Sequence, residues 1–109
     1  MVEYIPQLDL IFSSLADPTR RDIVKRVTGS EQTIGEIAEH YKMSFAAVAK
    51  HLKILENAKL ISKRKHGREQ LVTAEPATLI SIEGYLADYE KLWHQRFDAL
   101  ETLLNKRGK

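Results

Sequence analysis

Four histidines, at positions 40, 51, 66 and 94, and no cysteine bound the chemistry open to this 109-residue chain. Without a thiol there can be no disulfide, thiolate metal site, iron–sulfur cluster or thiol nucleophile. His94 shares helical spacing with Glu90, Asp98 and Glu101. One imidazole among carboxylates is a weak zinc set by ligand type and number, and surface contacts between residues four apart account for the same side chains. His40 stands near Glu36 and Glu39 with no nucleophile in view. A glycine-rich phosphate loop and a nucleophile–base pair are both missing from the sequence. Catalysis is not expected, nor is a bound metal or cofactor.

Charge is what remains. Lys and Arg number 17 and Asp and Glu 15, a formal net charge of +2 that names no partner. Its distribution says more. Residues 1–41 carry a net −3 and residues 69–109 a net −2, while residues 42–68 hold Lys42, Lys50, Lys53, Lys59, Lys63, Arg64, Lys65 and Arg68 against Glu56 alone, a net +7. A concentrated basic block is the electrostatic footprint of a nucleic-acid surface, although a solvated face would show the same charges.

The elements that must position this block follow from periodicity and punctuation. No apolar run reaches the roughly 18 residues of a membrane span. Glu3, Pro6 and Asp9 interrupt the N-terminal stretch and no basic segment precedes it, so no leader and a cytoplasmic location are expected. Leu8, Ile11, Phe12 and Leu15 predict a helix over 6–16. Asp17 as N-cap and Pro18 at the first helical position open a second over 18–28, with Gly29 expected as its C-terminal cap. Thr33 and Glu36 match a capping box opening a short helix over 34–41. The triplet 42–44 forms a tight connection, and Ser44 caps a helix over 45–57 that buries Val48, Leu52 and Leu55. Two short helices joined by such a turn, with the small Ala38 where they cross, make a helix-turn-helix. Residues 60–65 and 69–74 then read as two strands around His66-Gly67-Arg68, a hairpin wing with Lys63, Arg64, Lys65, His66 and Arg68 at its tip. A last helix over 77–105 carries Leu79, Ile82, Leu86, Tyr89, Trp93, Phe97, Leu100 and Leu104 at spacings of three and four. So long a stripe predicts a second copy of the chain as its cover. The expected fold is mainly α with a small β-hairpin, in the order α-α-α-α-β-β-α, as one domain spanning 1–109.

Four stretches now carry a resemblance: Leu15-Ala16-Asp17-Pro18-Thr19-Arg20-Arg21, Ile34-Gly35-Glu36-Ile37-Ala38, the run from Lys50-His51-Leu52 to Leu60-Ile61, and the Gly67-Arg68 wing tip. In this order and spacing the chain, from residue 10 to about 104, resembles the ArsR family of winged-helix repressors of bacteria and archaea. The resemblance implies a homodimer built on the first and last helices. It also implies operator binding through helix 45–57 in the major groove, with the wing beside it. Three departures from the family pattern stand out. Ala49 replaces the serine frequent before Lys-His-Leu, Phe45 and Ala46 replace common polar residues, and the thiolate sites for arsenic, cadmium and lead are absent. Fewer hydrogen-bonding side chains then face base edges, which gives contacts to thymine methyls more weight.

The residues expected to meet double-stranded DNA are Ser44, Phe45, Ala46, Ala47, Lys50, His51, Lys53, Arg64, Lys65 and Arg68. Each has a plainer role available: Ser44 as a helix cap, His51 as packing, the alanines as helix formers, the basic residues as solubilising charge. The residues expected at the dimer interface are Leu8, Phe12, Leu86, Tyr89, Trp93, Phe97 and Leu100. The function implied is a sequence-specific DNA-binding regulator, a homodimeric repressor on a roughly palindromic operator, with no membrane partner and an unspecified inducer. The alternatives are a winged-helix protein-interaction module and a histidine/carboxylate metal-responsive repressor.

Overall fold

The computed structural model describes residues 6–107. Residues 1–5, on which the leader argument partly rests, lie outside the described residues. The chain divides into a unit ending at Pro76 and a second unit, from Ala77, made of one helix.

In the first unit, α1 (Pro6–Leu15) and α2 (Pro18–Gly29) meet at Asp17. Asp17 is extended, and its carboxylate accepts the Arg20 N–H at 3.0 Å, the N-cap that its sequence position predicts. Gly29 is not a cap. It is the last residue of α2 with an ordinary negative φ, and Ser30, at φ −164°, closes the helix by donating its N–H to the Arg26 carbonyl.

The capping box is formed in full: Glu36 N–H donates to Thr33 Oγ1 at 3.1 Å, and Thr33 N–H to Glu36 Oε1 at 3.0 Å. These bonds hold the Glu36 carboxyl below the usual carboxylate range. The helix they open, α3 (Ile34–Ala38), stops three residues short of the expected 41. Residues 40 and 41 donate to the carbonyls of Ile37 and Ala38 in a turn, and the Tyr41 hydroxyl donates to Asp22 of α2 at 2.6 Å. The connection to α4 (Phe45–Asn57) is therefore longer than 42–44, and Met43 is only half-buried.

The hairpin of β2 (Ile61–His66) and β3 (Glu69–Ala74) runs in register from Ile61↔Ala74 to His66↔Glu69. Gly67, at φ +65°, takes the first position of a two-residue turn, where a side chain would be strained. The expected element order lacked one strand. Residues 32–33 form β1 (Gln32–Thr33), paired with Val72 and Leu71, so the hairpin belongs to a three-stranded antiparallel sheet ordered β1-β3-β2. One core joins the four helices and the hairpin: Ile11 of α1, Ile23, Val24 and Val27 of α2, Ile37 of α3, Val48, Leu52 and Leu55 of α4, then Leu60, Ile61 and Val72.

The second unit is formed by α5 (Pro76–Arg107), whose first residue closes the first unit; the helix has 32 residues and is about 48 Å long. Leu86, Tyr89, Trp93, Phe97, Leu100 and Leu104 are all exposed along it. Tyr85 with Tyr89 and Trp93 with Phe97 form ring contacts one turn apart.

Candidate nucleic-acid interface

Helix α4 presents its surface through simple periodicity. At about 100° per residue, buried Val48, Leu52 and Leu55 occupy one side, and exposed Ala46, Lys50, Lys53 and Asn57 the other. The Ser44 hydroxyl accepts the Ala47 N–H at 3.1 Å and starts the helix cleanly. Phe45, the first helical residue, is 60% exposed. Ser44, Phe45, Ala46, Lys50 and Lys53 thus share an open surface, while Ala47 is half-buried.

His51 lies on the flank turned toward α2 rather than against the wing. Its Nδ1 is 3.3 Å from Arg20 Nη1 and 4.0 Å from Asp17 Oδ2. Arg20 is the hub of this corner. Its Nε donates to the Ser14 carbonyl at 2.7 Å and its Nη2 to the Ser13 carbonyl at 3.3 Å, while Arg21 donates to the Leu15 carbonyl at 2.8 Å. The two arginines of the Asp-Pro-Thr-Arg-Arg stretch therefore bind the last carbonyls of α1, at the slightly negative end of the helix, where the Ser13 carbonyl also accepts the Ala16 N–H. The same stretch caps the start of α2, and through His51 it touches α4. The Asp17 carboxyl is held below its ordinary range by the backbone hydrogen bond from Arg20 first, and by the nearby positive groups after it.

The wing is tied to the rest of its unit by two acids to which the sequence alone assigns no role. Glu31, at the mouth of β1, accepts Nε and Nη2 of Arg64 at 3.0 and 3.1 Å, a two-point contact that lowers the Glu31 carboxyl. Glu56, the only acid of the basic block, sits 3.8 Å from Lys53 and 3.5 Å from Lys63. Lys63 is consequently turned in, its side chain 17% exposed, and does not belong to the open tip. Lys65, His66 and Arg68 are exposed. No local signal in the sequence joins Glu31 to Arg64, 33 residues apart; sheet pairing brings them together.

Between α4 and β2 the chain turns through Lys59 at φ +61°. Leu60 N–H donates to the Leu55 carbonyl at 3.0 Å and Lys59 N–H to the Glu56 carbonyl at 2.9 Å. This is the Schellman bond pair, with Leu60 buried beside Leu55 and a lysine where glycine is usual.

Of the residues expected at a dimer interface, Leu86, Tyr89, Trp93, Phe97 and Leu100 are exposed along α5. Phe12 of α1 is 42% exposed and Leu8 half-buried. His94 is 3.5 Å from Glu90, an exposed pair four residues apart. Among the described residues no group of three or more histidines and carboxylates is placed to hold a metal ion, and no helix is long and apolar enough to cross a membrane.

Comparison with known proteins fits this geometry. Residues 17–63 match the family model described as "Bacterial regulatory protein, arsR family". The HTH-type transcriptional regulator Rv2034 of Mycobacterium tuberculosis is 30% identical over 92% of this chain and 91% of its own. The transcriptional repressor SdpR of Bacillus subtilis is 40% identical over 53% of this chain and 64% of its own. Among solved structures, the ArsR family transcriptional regulator RHA00566 is 34% identical, covers 86% of this chain and 97% of its own, and superposes with a TM-score of 0.76. An ArsR-like regulator from Rhodococcus sp. RHA1 is 29% identical over 89% and 92% of the two chains, with a TM-score of 0.73. With the capped helix pair, the adjoining wing and a relative matched over nearly its whole length, the chain belongs to the ArsR family: it is a winged helix-turn-helix transcriptional regulator and not an enzyme.

Proposed function

We propose that this protein is a homodimeric repressor, acting in the cytoplasm of a bacterium or archaeon, that binds a near-palindromic operator with α4 in the major groove and the wing on the flanking backbone or minor groove. The observation that carries the reading is the open surface of α4: Ala46, Lys50 and Lys53 lie opposite its buried stripe, on the one strongly basic block of the chain. Small residues permit close approach, and lysines can reach phosphates or guanine edges. Lys65 and Arg68 at the wing tip supply backbone charge, and Arg64 can join them by leaving Glu31. The apolar stripe of α5 supports the dimer, since an exposed run of Leu, Trp and Phe this long is what an isologous interface covers. Two recognition helices would then enter successive major grooves about 34 Å apart. The name of SdpR supports repression as the mode of action.

The test is titration of the full chain against genomic duplex fragments at several salt concentrations. Selective binding is expected, with each phosphate contact adding about 0.9 to the salt slope. Lys50→Ala should lose selectivity where Lys25→Ala, on the exposed face of α2, does not. Absence of selective binding at every salt concentration would refute the proposal. Sedimentation in parallel should show a dimer that Leu100→Glu dissociates.

A further inference from the structure

The first turn of α4 offers a single kind of contact. From Phe45 to Ala49 the sequence reads Phe-Ala-Ala-Val-Ala, with no side chain able to donate or accept a hydrogen bond. The Ser44 hydroxyl before it already accepts from Ala47. Phe45 nevertheless stands 60% exposed, and Ala46 beside it is exposed as well. In a helix-turn-helix the N-terminal residues of the second helix are the ones that meet base edges. On those edges the groups that distinguish the base pairs are polar apart from one bulky apolar group, the C5-methyl of thymine. An apolar first turn can discriminate bases there only through that methyl.

We propose that Phe45, with Ala46 at its side, is a specificity-determining contact of this chain and reads thymine methyls in the major groove. The inference rests on the reading that α4 enters that groove. Position gives the two residues different parts. Ala46 lies on the outermost line with Lys50 and lets the helix backbone come close. Phe45 sits about 100° round from it, on the flank shared with Ala49 and Glu56, and its ring extends sideways over neighbouring bases. Lys50 and Lys53, one and two turns along, take guanine edges or phosphates. The operator half-site therefore carries thymine under the first turn, and its recognition is hydrophobic.

Uracil lacks only the methyl, which makes the test direct. A duplex is selected by the full chain from a random-sequence pool and then resynthesised with uracil at each thymine in turn. For the parent protein, affinity is expected to fall about fourfold for each methyl that leaves the contact, as expected for one buried carbon. Two half-sites replaced together should give roughly fifteenfold by the same rule. Phe45→Ala is expected to bind the thymine and uracil duplexes equally. Lys53→Ala should weaken both and keep their ratio. Phe45→Leu, which keeps an apolar contact, should retain part of the gap and so separate a lost contact from a disturbed helix. Indifference of the parent protein to uracil at every position, or an undiminished gap in Phe45→Ala, would overturn the inference while leaving operator binding intact. Failure to select any duplex would overturn the operator reading and this inference with it.

Discussion

Removal of the Arg20 guanidinium should loosen the joint between α1, α2 and α4. In Arg20→Ala the charge-assisted bond to the Ser14 carbonyl, 2.7 Å and partly buried, is lost; hydrogen bonds to charged groups contribute about 1.5–3 kcal/mol each. The contacts to the Ser13 carbonyl and to His51, both 3.3 Å, are longer, and together add about 0.5 kcal/mol or less on the same scale. The expected loss is about 2–3 kcal/mol, a large share of the roughly 5–15 kcal/mol that holds a domain together. That corresponds to a melting temperature lower by about 8–24 °C, at roughly 4–8 °C per kcal/mol for a domain near this size. Urea and thermal unfolding followed by circular dichroism measure it, at one protein concentration because self-association makes stability concentration-dependent. Arg20→Lys should recover less than half, since an ammonium cannot span the carbonyls and the imidazole at once. If Arg20→Ala lies within about 0.5 kcal/mol of the parent, or lysine restores full stability, the arginine is not the joint described.

Three further outcomes follow from the same geometry. Glu31→Gln releases Arg64 and removes a negative charge beside the wing, so duplex binding should tighten severalfold at low salt, with a salt slope steeper by up to about one unit; weaker binding would show that Glu31 orients Arg64 rather than competing for it. Lys59→Gly should raise the urea midpoint by the equivalent of about 0.5–1 kcal/mol, because glycine enters the left-handed region without a Cβ penalty; a loss would mean that the lysine makes a contact worth more than its strain. Burial first, and the hydrogen bond to Asp22 after it, push the Tyr41 hydroxyl up to about 12, whereas a free phenol loses its proton near 10. The folded chain thus holds more protons between those values, and stability should fall as pH rises through that window. Tyr41→Phe should abolish this component of the slope between pH 9 and 12, and an unchanged slope would assign it to another group.

What was legible in the sequence was local. Asp17 and Pro18, the Thr33–Glu36 box and Ser44 each act within three residues of themselves, and each caps the helix that its position predicts. The buried stripe Val48–Leu52–Leu55 and the exposed stripe of α5 follow from a period that any reader can count. The features that escaped depend on residues distant in the chain or on an unusual backbone angle. β1 is two residues long and exists only because β3 lies beside it. Arg20 reads as surface charge until the end of α1 is folded against it, and Glu31 and Glu56 gain their roles only once the wing is in place. The α4 cap was hidden because lysine stands where glycine would have announced it. Gly29 misled for the converse reason: a glycine near a helix end need not leave the helical region, and here Ser30 makes the exit.

The corner at Lys59 bears on how such a regulator can be switched. Two backbone bonds, the buried side chains of Leu55 and Leu60 and the Glu56–Lys63 ion pair all fall near the junction between α4 and β2. Helix and wing are thereby joined into one reading head. A signal that releases DNA gains little by working inside such a head, where each displacement must break the corner. In the proposed dimer it would act at lower cost on the spacing between the two heads, where a small rotation about the dimer axis would take both out of register with the helical repeat of DNA.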